Sequence, residues 1–281
     1  MNFSQAFKMA AKSIAANKGR SALTMLGVII GLAAVIILVS YAQGQNMALR
    51  AYYESMGTNT ITVSAYSYRG GVDVASALYD YCLQLDDLVL GVSPTGYIYS
   101  DPVIKFESKT IARQWQNMGG GAMMSSGEYP NIVLGNDKYG LCNDYKIAKG
   151  RDLSYLDIEK ENQVCVLGSA VADELFGFAD PVGKTITING TPFLVVGVYE
   201  SKSAGVNVGS SEESQWIQDT INRQDYMLLL PSTMTRLFNN NQPIENYIIK
   251  AKDAESLKEV STLVNGFLAG FISDDNGYYY I

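Results

Sequence analysis

Few residues in this 281-residue chain could carry chemistry, and one type is missing altogether. There is no histidine. That removes Ser-His-Asp and Cys-His catalysis, and the commonest metal ligand, in one step. Cys82, Cys142 and Cys165 show no C-x-x-C spacing. They read as scattered small hydrophobes, with a Cys142–Cys165 bridge outside the cytoplasm as the alternative. Asp86-Asp87 is a paired carboxylate without a recognisable partner, so it reads as a solvated helix end. Gly119-Gly120-Gly121 could cradle a phosphate only at a strand-to-helix turn; its flanks are polar, and it reads as a hairpin or a disordered tip. Gly177-Phe178-Ala179-Asp180-Pro181-Val182-Gly183-Lys184-Thr185 imitates a phosphate-binding loop. The nucleotide motif needs four residues between its glycines and a helix after the lysine. Here there are five, and Thr185–Ile188 alternates as a strand into an Asn189-Gly190 turn. No catalytic, cofactor or metal site is expected, and an enzyme is the least favoured class.

The element that must position everything else is apolar. Twenty-nine residues, 21–49, separate Arg20 from Arg50 without a charge. About 20 apolar residues span a bilayer core as a helix, so 21–49 is expected to be a transmembrane helix. A cleaved signal peptide, cut among the small residues at 40–44, is the alternative. Gly27 and Gly31 form a G-x-x-x-G pair, a candidate packing face for a second helix. Residues 1–20 read as a short amphipathic helix with Lys8 and Lys12 on one side, broken by Asn17-Lys18-Gly19-Arg20. Five of the 21 basic residues and none of the 28 acidic ones fall within residues 1–50, which leaves a balance of −12 for the rest. Lys8, Lys12, Lys18 and Arg20 therefore mark the cytoplasmic edge and a contact with anionic lipid. The acidic remainder argues against nucleic acid as a partner.

Residues 50–281 alternate between strand and helix periods. Strands are expected at 59–65, at a pair within 97–108, and at 129–134, 164–167, 185–188, 193–199, 226–230 and 247–251. Helices are expected at 74–87, at 169–176 with Ser169 as N-cap, and at 254–271. Residues 201–219 read as a polar loop.

Two stretches carry a resemblance: Gly19-Arg20-Ser21-Ala22-Leu23-Thr24-Met25-Leu26-Gly27-Val28-Ile29-Ile30-Gly31 and Met56-Gly57-Thr58-Asn59-Thr60-Ile61-Thr62-Val63. So do Gly150-Arg151-Asp152-Leu153, Val166-Leu167-Gly168-Ser169-Ala170-Val171-Ala172-Asp173-Glu174-Leu175-Phe176, Asp180-Pro181-Val182-Gly183-Lys184-Thr185-Ile186 and Phe193-Leu194-Val195-Val196-Gly197-Val198. In this order they resemble MacB-type ABC transporter permeases, the family related to FtsX. The resemblance implies an α+β chain: an N-terminal amphipathic helix and one transmembrane helix, followed by a two-subdomain α+β extracytoplasmic domain. Residues 58–128 and 244–281 would form one subdomain, with 129–243 inserted. It also implies a permease subunit served by a separate cytoplasmic ABC ATPase, a second permease copy, and an extracytoplasmic adaptor or membrane fusion protein. Members of the family have three further spans, so the chain is expected to be partial at Ile281. Alternatives are an FtsX-like regulator of a cell-wall hydrolase or sensor, and a single-pass binding ectodomain.

Overall fold

The computed structural model describes residues 3–56, 59–67, 74–98, 100–117, 123–126, 129–206, 212–272 and 277–281. Helix α1 (Phe3–Ala16) ends at a one-residue turn, and α2 (Lys18–Met56) starts directly after it. Lys18, Gly19 and Arg20, expected to break the helix, lie inside it. The Ser21 amide already donates to Asn17 O at 3.0 Å. A glycine costs a helix only about 1 kcal/mol, which the long favourable run behind Gly19 outweighs. The window Lys18–Met47 is long and apolar enough to cross a membrane, and none of it is buried against the rest of the chain. Nine further residues prolong the same helix to Met56.

After α2 the chain forms β1 (Thr60–Ser67), α3 (Val74–Leu83) and β2 (Val89–Pro94). A long excursion follows: β3 (Gly96–Tyr97), β4 (Ile104–Phe106), β5 (Lys109–Ile111), β6 (Gln114–Asn117), β7 (Met123–Ser126), β8 (Asn131–Gly135), α4 (Tyr139–Cys142), β9 (Ile147–Gly150) and α5 (Tyr155–Glu159). It continues through β10 (Val164–Leu167), α6 (Ser169–Phe176), β11 (Thr185–Ile188), β12 (Thr191–Tyr199), α7 (Glu212–Asp225), β13 (Met227–Pro231) and α8 (Thr235–Phe238). The chain then returns with β14 (Asn246–Ala251), α9 (Ala254–Phe271) and β15 (Gly277–Tyr280).

Two sheets organise these elements. The smaller is antiparallel in the order β15-β1-β14-β2, so the returning strand β14 sits between β1 and β2 and closes the excursion. Its buried face carries Val63, Val92 and Ile249 against Leu78 of α3 and Val260, Val264 and Leu268 of α9. The i, i+4, i+8 spacing of the last three is the stripe that the helical period requires. Asp253 caps α9, accepting from the amides of Glu255 and Ser256 at 3.0 and 2.8 Å.

The larger sheet runs β3-β8-β13-β10-β12-β11-β4-β5, with β9 also paired to β12. Its middle strands β13 and β10 are buried throughout. Such strands read as unbroken apolar runs rather than alternation. Asn189 and Gly190, at φ +49° and +83°, make the two-residue turn from β11 to β12, so the sequence that imitates a phosphate-binding loop is a hairpin approach.

Several expectations are corrected. Strands β3, β4 and β5 belong to the larger sheet, not the smaller one. Strands β3 and β4, expected as one pair, instead pair with β8 and with β5 and β11. Two or three residues leave no alternation from which a partner could be read. Helix α3 stops at Leu83 instead of reaching 87. The N-cap of α6 is Gly168, not Ser169. Gly168 is pinned by its own amide, which donates to Met227 O at 2.8 Å, and a Cβ there would stand 2.2 Å from Asp225 O. The supposed loop 201–219 contains most of α7, whose buried apolar pair, Ile217 and Ile221, lies in a sequence that is polar apart from the exposed Trp216. Residues 118–122 of the glycine-rich tip lie outside the described residues, but β6 and β7 on its flanks do pair as a hairpin. All three cysteines are free and buried, and burial pushes the Cys82 and Cys142 thiols up to about 12.

Candidate functional site

Lys8 and Lys12 are exposed on α1, and Lys18 and Arg20 are exposed at the start of α2. A Cβ added at Gly27 or Gly31 would meet nothing within 4 Å, so that face of α2 is open in the single chain. The apolar side chains around it are bare: Val28 is 71% exposed and Leu23 72%. A helix this apolar and this exposed can rest only in lipid or against other apolar helices.

Two of the motifs of the α+β domain, residues 150–153 and 193–198, meet at one corner. Strand β9 pairs with β12 so that Gly150 faces Gly197. Gly150 has φ +75°, and a Cβ on it would lie 2.2 Å from Val196 O. A Cβ on Gly197 would lie 2.1 Å from Arg151 O. Both positions therefore require glycine, one for conformation and both for space. Beyond the bend, Asp152 accepts from the Tyr199 hydroxyl at 2.7 Å and from the Leu153 amide at 2.8 Å. Burial raises the Asp152 pKa, and the Tyr199 hydrogen bond opposes that rise. Arg151 holds Asp157 at 2.6 Å. Asp157 also accepts from the amide and hydroxyl of Ser154 and from Asn162. Burial opposes ionisation of Asp157, but these bonds together hold its carboxyl well below the usual range. Asp152 and Asp157 both accept from their own neighbours, so the corner acts as a brace.

What the corner braces is the short segment around α4, and this segment carries the larger sheet onto the smaller one. Gly140 of α4 lies so close to the Asp152 carboxylate that a Cβ there would meet Oδ2 at 2.1 Å. Helix α4 packs on β2 and β14. Asn136, 4% exposed, donates to Val92 O at 3.0 Å and to the Tyr79 hydroxyl at 3.3 Å. Its own amide reaches Ser93 Oγ at 3.4 Å. Lys250 Nζ, from the middle of β14, lies 2.5 Å from Asp144 Oδ1. The lysine side chain is only 8% exposed, against 39% for the aspartate. The junction thus joins the two sheets through a buried amide and a half-buried ion pair.

Sequence reading missed these residues. One signal was available. Tyr-Ile-Ile-Lys-Ala places a lysine inside an otherwise apolar strand, and a buried lysine is rare without a partner. The partner, Asp144, is 106 residues away and sits at φ +54°, in a turn.

Lys202 lies close by. Its Nζ donates to Asn143 O at 2.6 Å and stands 4.0 Å from the centre of the Tyr145 ring. Tyr145 in turn stacks on Tyr199 at 4.7 Å. Burial, the largest cause, lowers the Lys202 amine to about 8, and the nearby Lys250 charge adds to this. Asp144 and Asp225 act the other way. The free amine titrates near 10.4. Between these values the unfolded chain binds more protons, so stability rises with pH across that window. Relative to Lys202→Gln, the unsubstituted chain should gain about 1 kcal/mol between pH 7 and pH 9.5. Denaturant melts of both proteins at the two pH values read this directly.

Residues 21–266 match the family model of the MacB-like periplasmic core domain. An uncharacterized ABC transporter permease, YvrN of Bacillus subtilis, is 29% identical over 264 residues, or 94% of this chain and 60% of its own length. A macrolide export ATP-binding/permease protein MacB of Neisseria gonorrhoeae is 34% identical over 207 residues, or 70% of this chain and 29% of its own. The chain therefore spans less than two thirds of either relative. Among solved structures, the periplasmic region of MacB from Actinobacillus actinomycetemcomitans superposes with a TM-score of 0.52 at 19% identity, over 81% of this chain and 90% of that one. The extracellular domain of the transporter YknZ from Gram-positive bacteria gives 0.50 at 15% identity, over 79% and 98%. Likeness at these identities shows a shared fold.

Proposed function

This chain belongs to the family of MacB-like periplasmic core domains, and from that premise we propose that it is part of an ABC transporter permease subunit, coupling ATP hydrolysis by a separate cytoplasmic ATPase to movement of its α+β domain for export or mechanotransmission. The observation that carries this reading is α2. It is a single unbroken helix of 39 residues. At about 1.5 Å per residue it is roughly 58 Å long, nearly twice the hydrocarbon thickness of a bilayer. A continuous helix transmits displacement along its axis, whereas a flexible linker absorbs it. Its N-terminal end carries Lys18 and Arg20 beside α1, which by the positive-inside rule lies in the cytoplasm. The next described element is β1, the strand paired with β14, which holds the junction lysine.

In this reading α1 lies on the inner lipid surface within reach of the ATPase. Gly27 and Gly31 face a helix of a second permease copy, and the α+β domain meets an extracytoplasmic adaptor. The test uses the full-length permease in membranes. A photo-crosslinker at Lys8 or Lys12 should capture an ATPase subunit. Inserting Gly-Ser-Gly-Ser after Met47 should leave ATP hydrolysis intact while abolishing export. Failure to capture any ATPase would remove the energy source and sink the proposal. Hydrolysis of the cell wall responding to the insertion, with export unchanged, would favour the FtsX-like regulator instead.

A further inference from the structure

Beside the junction the two sheets leave a cleft of about 680 Å³, within the range usual for small-ligand sites. One wall comes from the smaller unit: Tyr79 and Asp80 of α3, and Tyr247 of β14. The other comes from the larger unit: Asp137 just before α4, Tyr155 of α5, and Thr233.

Charge and chemistry of the lining are one-sided. Two carboxylates line the cleft and no lysine or arginine does. Asp137 is held by Lys138 at 3.1 Å, whereas Asp80 has no ion-pair partner among the described residues. Three tyrosine rings supply the faces that attract a cation. The Tyr79 and Tyr247 rings stand 6.4 Å apart at the cleft wall, Tyr247 only 6% exposed and Tyr155 66% exposed. The Thr233 hydroxyl is buried at the wall without a hydrogen-bond partner. A buried hydroxyl left unpaired destabilises the fold, so a ligand group reaching it would offset a standing cost.

We propose that this cleft binds a small amphipathic organic cation, its charge set against Asp80 and its apolar body against Tyr79, Tyr155 and Tyr247. An anion would meet two carboxylates, of which only Asp137 has a cation beside it. A purely apolar molecule would bury Asp80 unpaired. Because the walls belong to different sheets, occupancy resists any motion that separates them. The inference goes beyond the transport reading. The binding measurement needs no ATPase, and its failure leaves that reading standing.

The experiment uses the 281-residue chain in detergent, with rhodamine 6G as the cationic probe and fluorescein as the anionic one, read by fluorescence polarisation. Rhodamine should bind and fluorescein should not, and binding should weaken as salt rises. Asp80→Asn should weaken rhodamine binding about tenfold and Tyr155→Ala about threefold. Both residues are exposed, so the variants should melt with the parent. Asp86→Asn removes an equal charge outside the cleft and should leave binding unchanged. Equal binding of the two dyes, or equal loss in Asp80→Asn and Asp86→Asn, would overturn the proposal.

Discussion

Gly197→Ala is expected to destabilise the α+β domain by about 3 kcal/mol, at the upper end of what one added methyl does in a packed interior. The atom it meets decides the size. A Cβ at Gly197 falls 2.1 Å from Arg151 O, and the next two contacts are also Arg151 backbone. No rotamer change relieves such a clash, so the β9–β12 pair must separate. The Arg151 amide bond to Val196 O, at 2.9 Å, lies in the way. Separation would loosen Asp152 from Tyr199 and, through Gly140, the seat of α4. Gly266→Ala is the counterpart. That glycine lies within α9 with nothing within 4 Å of its Cβ position, so the change should stabilise by about 0.5–1 kcal/mol. Thermal melts of the three proteins should show a fall of roughly 10 °C for the first and a small rise for the second. A neutral Gly197→Ala would mean that the corner yields, and that the close approach of the strands is not required.

The junction ion pair should respond unequally to loss of its two ends. Asp144→Asn is expected to cost about 2 kcal/mol, because it leaves the Lys250 charge buried without its counter-ion. Full loss of a buried pair costs more; the figure is discounted because Asp144 is 39% exposed. Asparagine suits the φ of +54°, so backbone strain does not enter. Lys250→Met should cost less than about 1 kcal/mol, since it removes the buried charge itself, keeps the aliphatic stem, and leaves an aspartate that water can reach. The double variant should match Lys250→Met rather than the sum. Urea melts of the four proteins test this, and hydrogen exchange at Asn136 and β2 should quicken most in Asp144→Asn. A costlier Lys250→Met would mean that attraction between the two charges outweighs desolvation of the lysine, the reverse of the expected balance.

Both predictions concern residues whose types were plain in the sequence and whose roles were not. Gly197 stood within an apolar run and Gly150 at the head of Gly-Arg-Asp-Leu. Nothing local says that each lies against the other's strand, because 47 residues separate them. Lys250 and Asp144 are further apart still. Helix α7 escaped reading because two isoleucines in a polar stretch give almost no period, and it forms where the fold supplies a surface for Ile217 and Ile221. The short strands β3, β4 and β5 likewise owe their place to partners rather than to pattern.

The sequence by itself determined whatever depends on local period and on water. It set a long uncharged helix, a basic end before it and an acidic domain after it. It also set the α9 stripe, the Asn-Gly hairpin, and the absence of histidine chemistry. Each is a property of a segment against its solvent, so no distant residue need be known. Tertiary structure alone decided that β14 returns between β1 and β2, that β3, β4 and β5 join the larger sheet, and that Asp144 meets Lys250. It also decided that Asp80, Tyr155 and Tyr247 line one cleft. These are pairings across long stretches of chain. They are selected by how whole faces fill space and neutralise buried charge, and that information exists only once the faces have met.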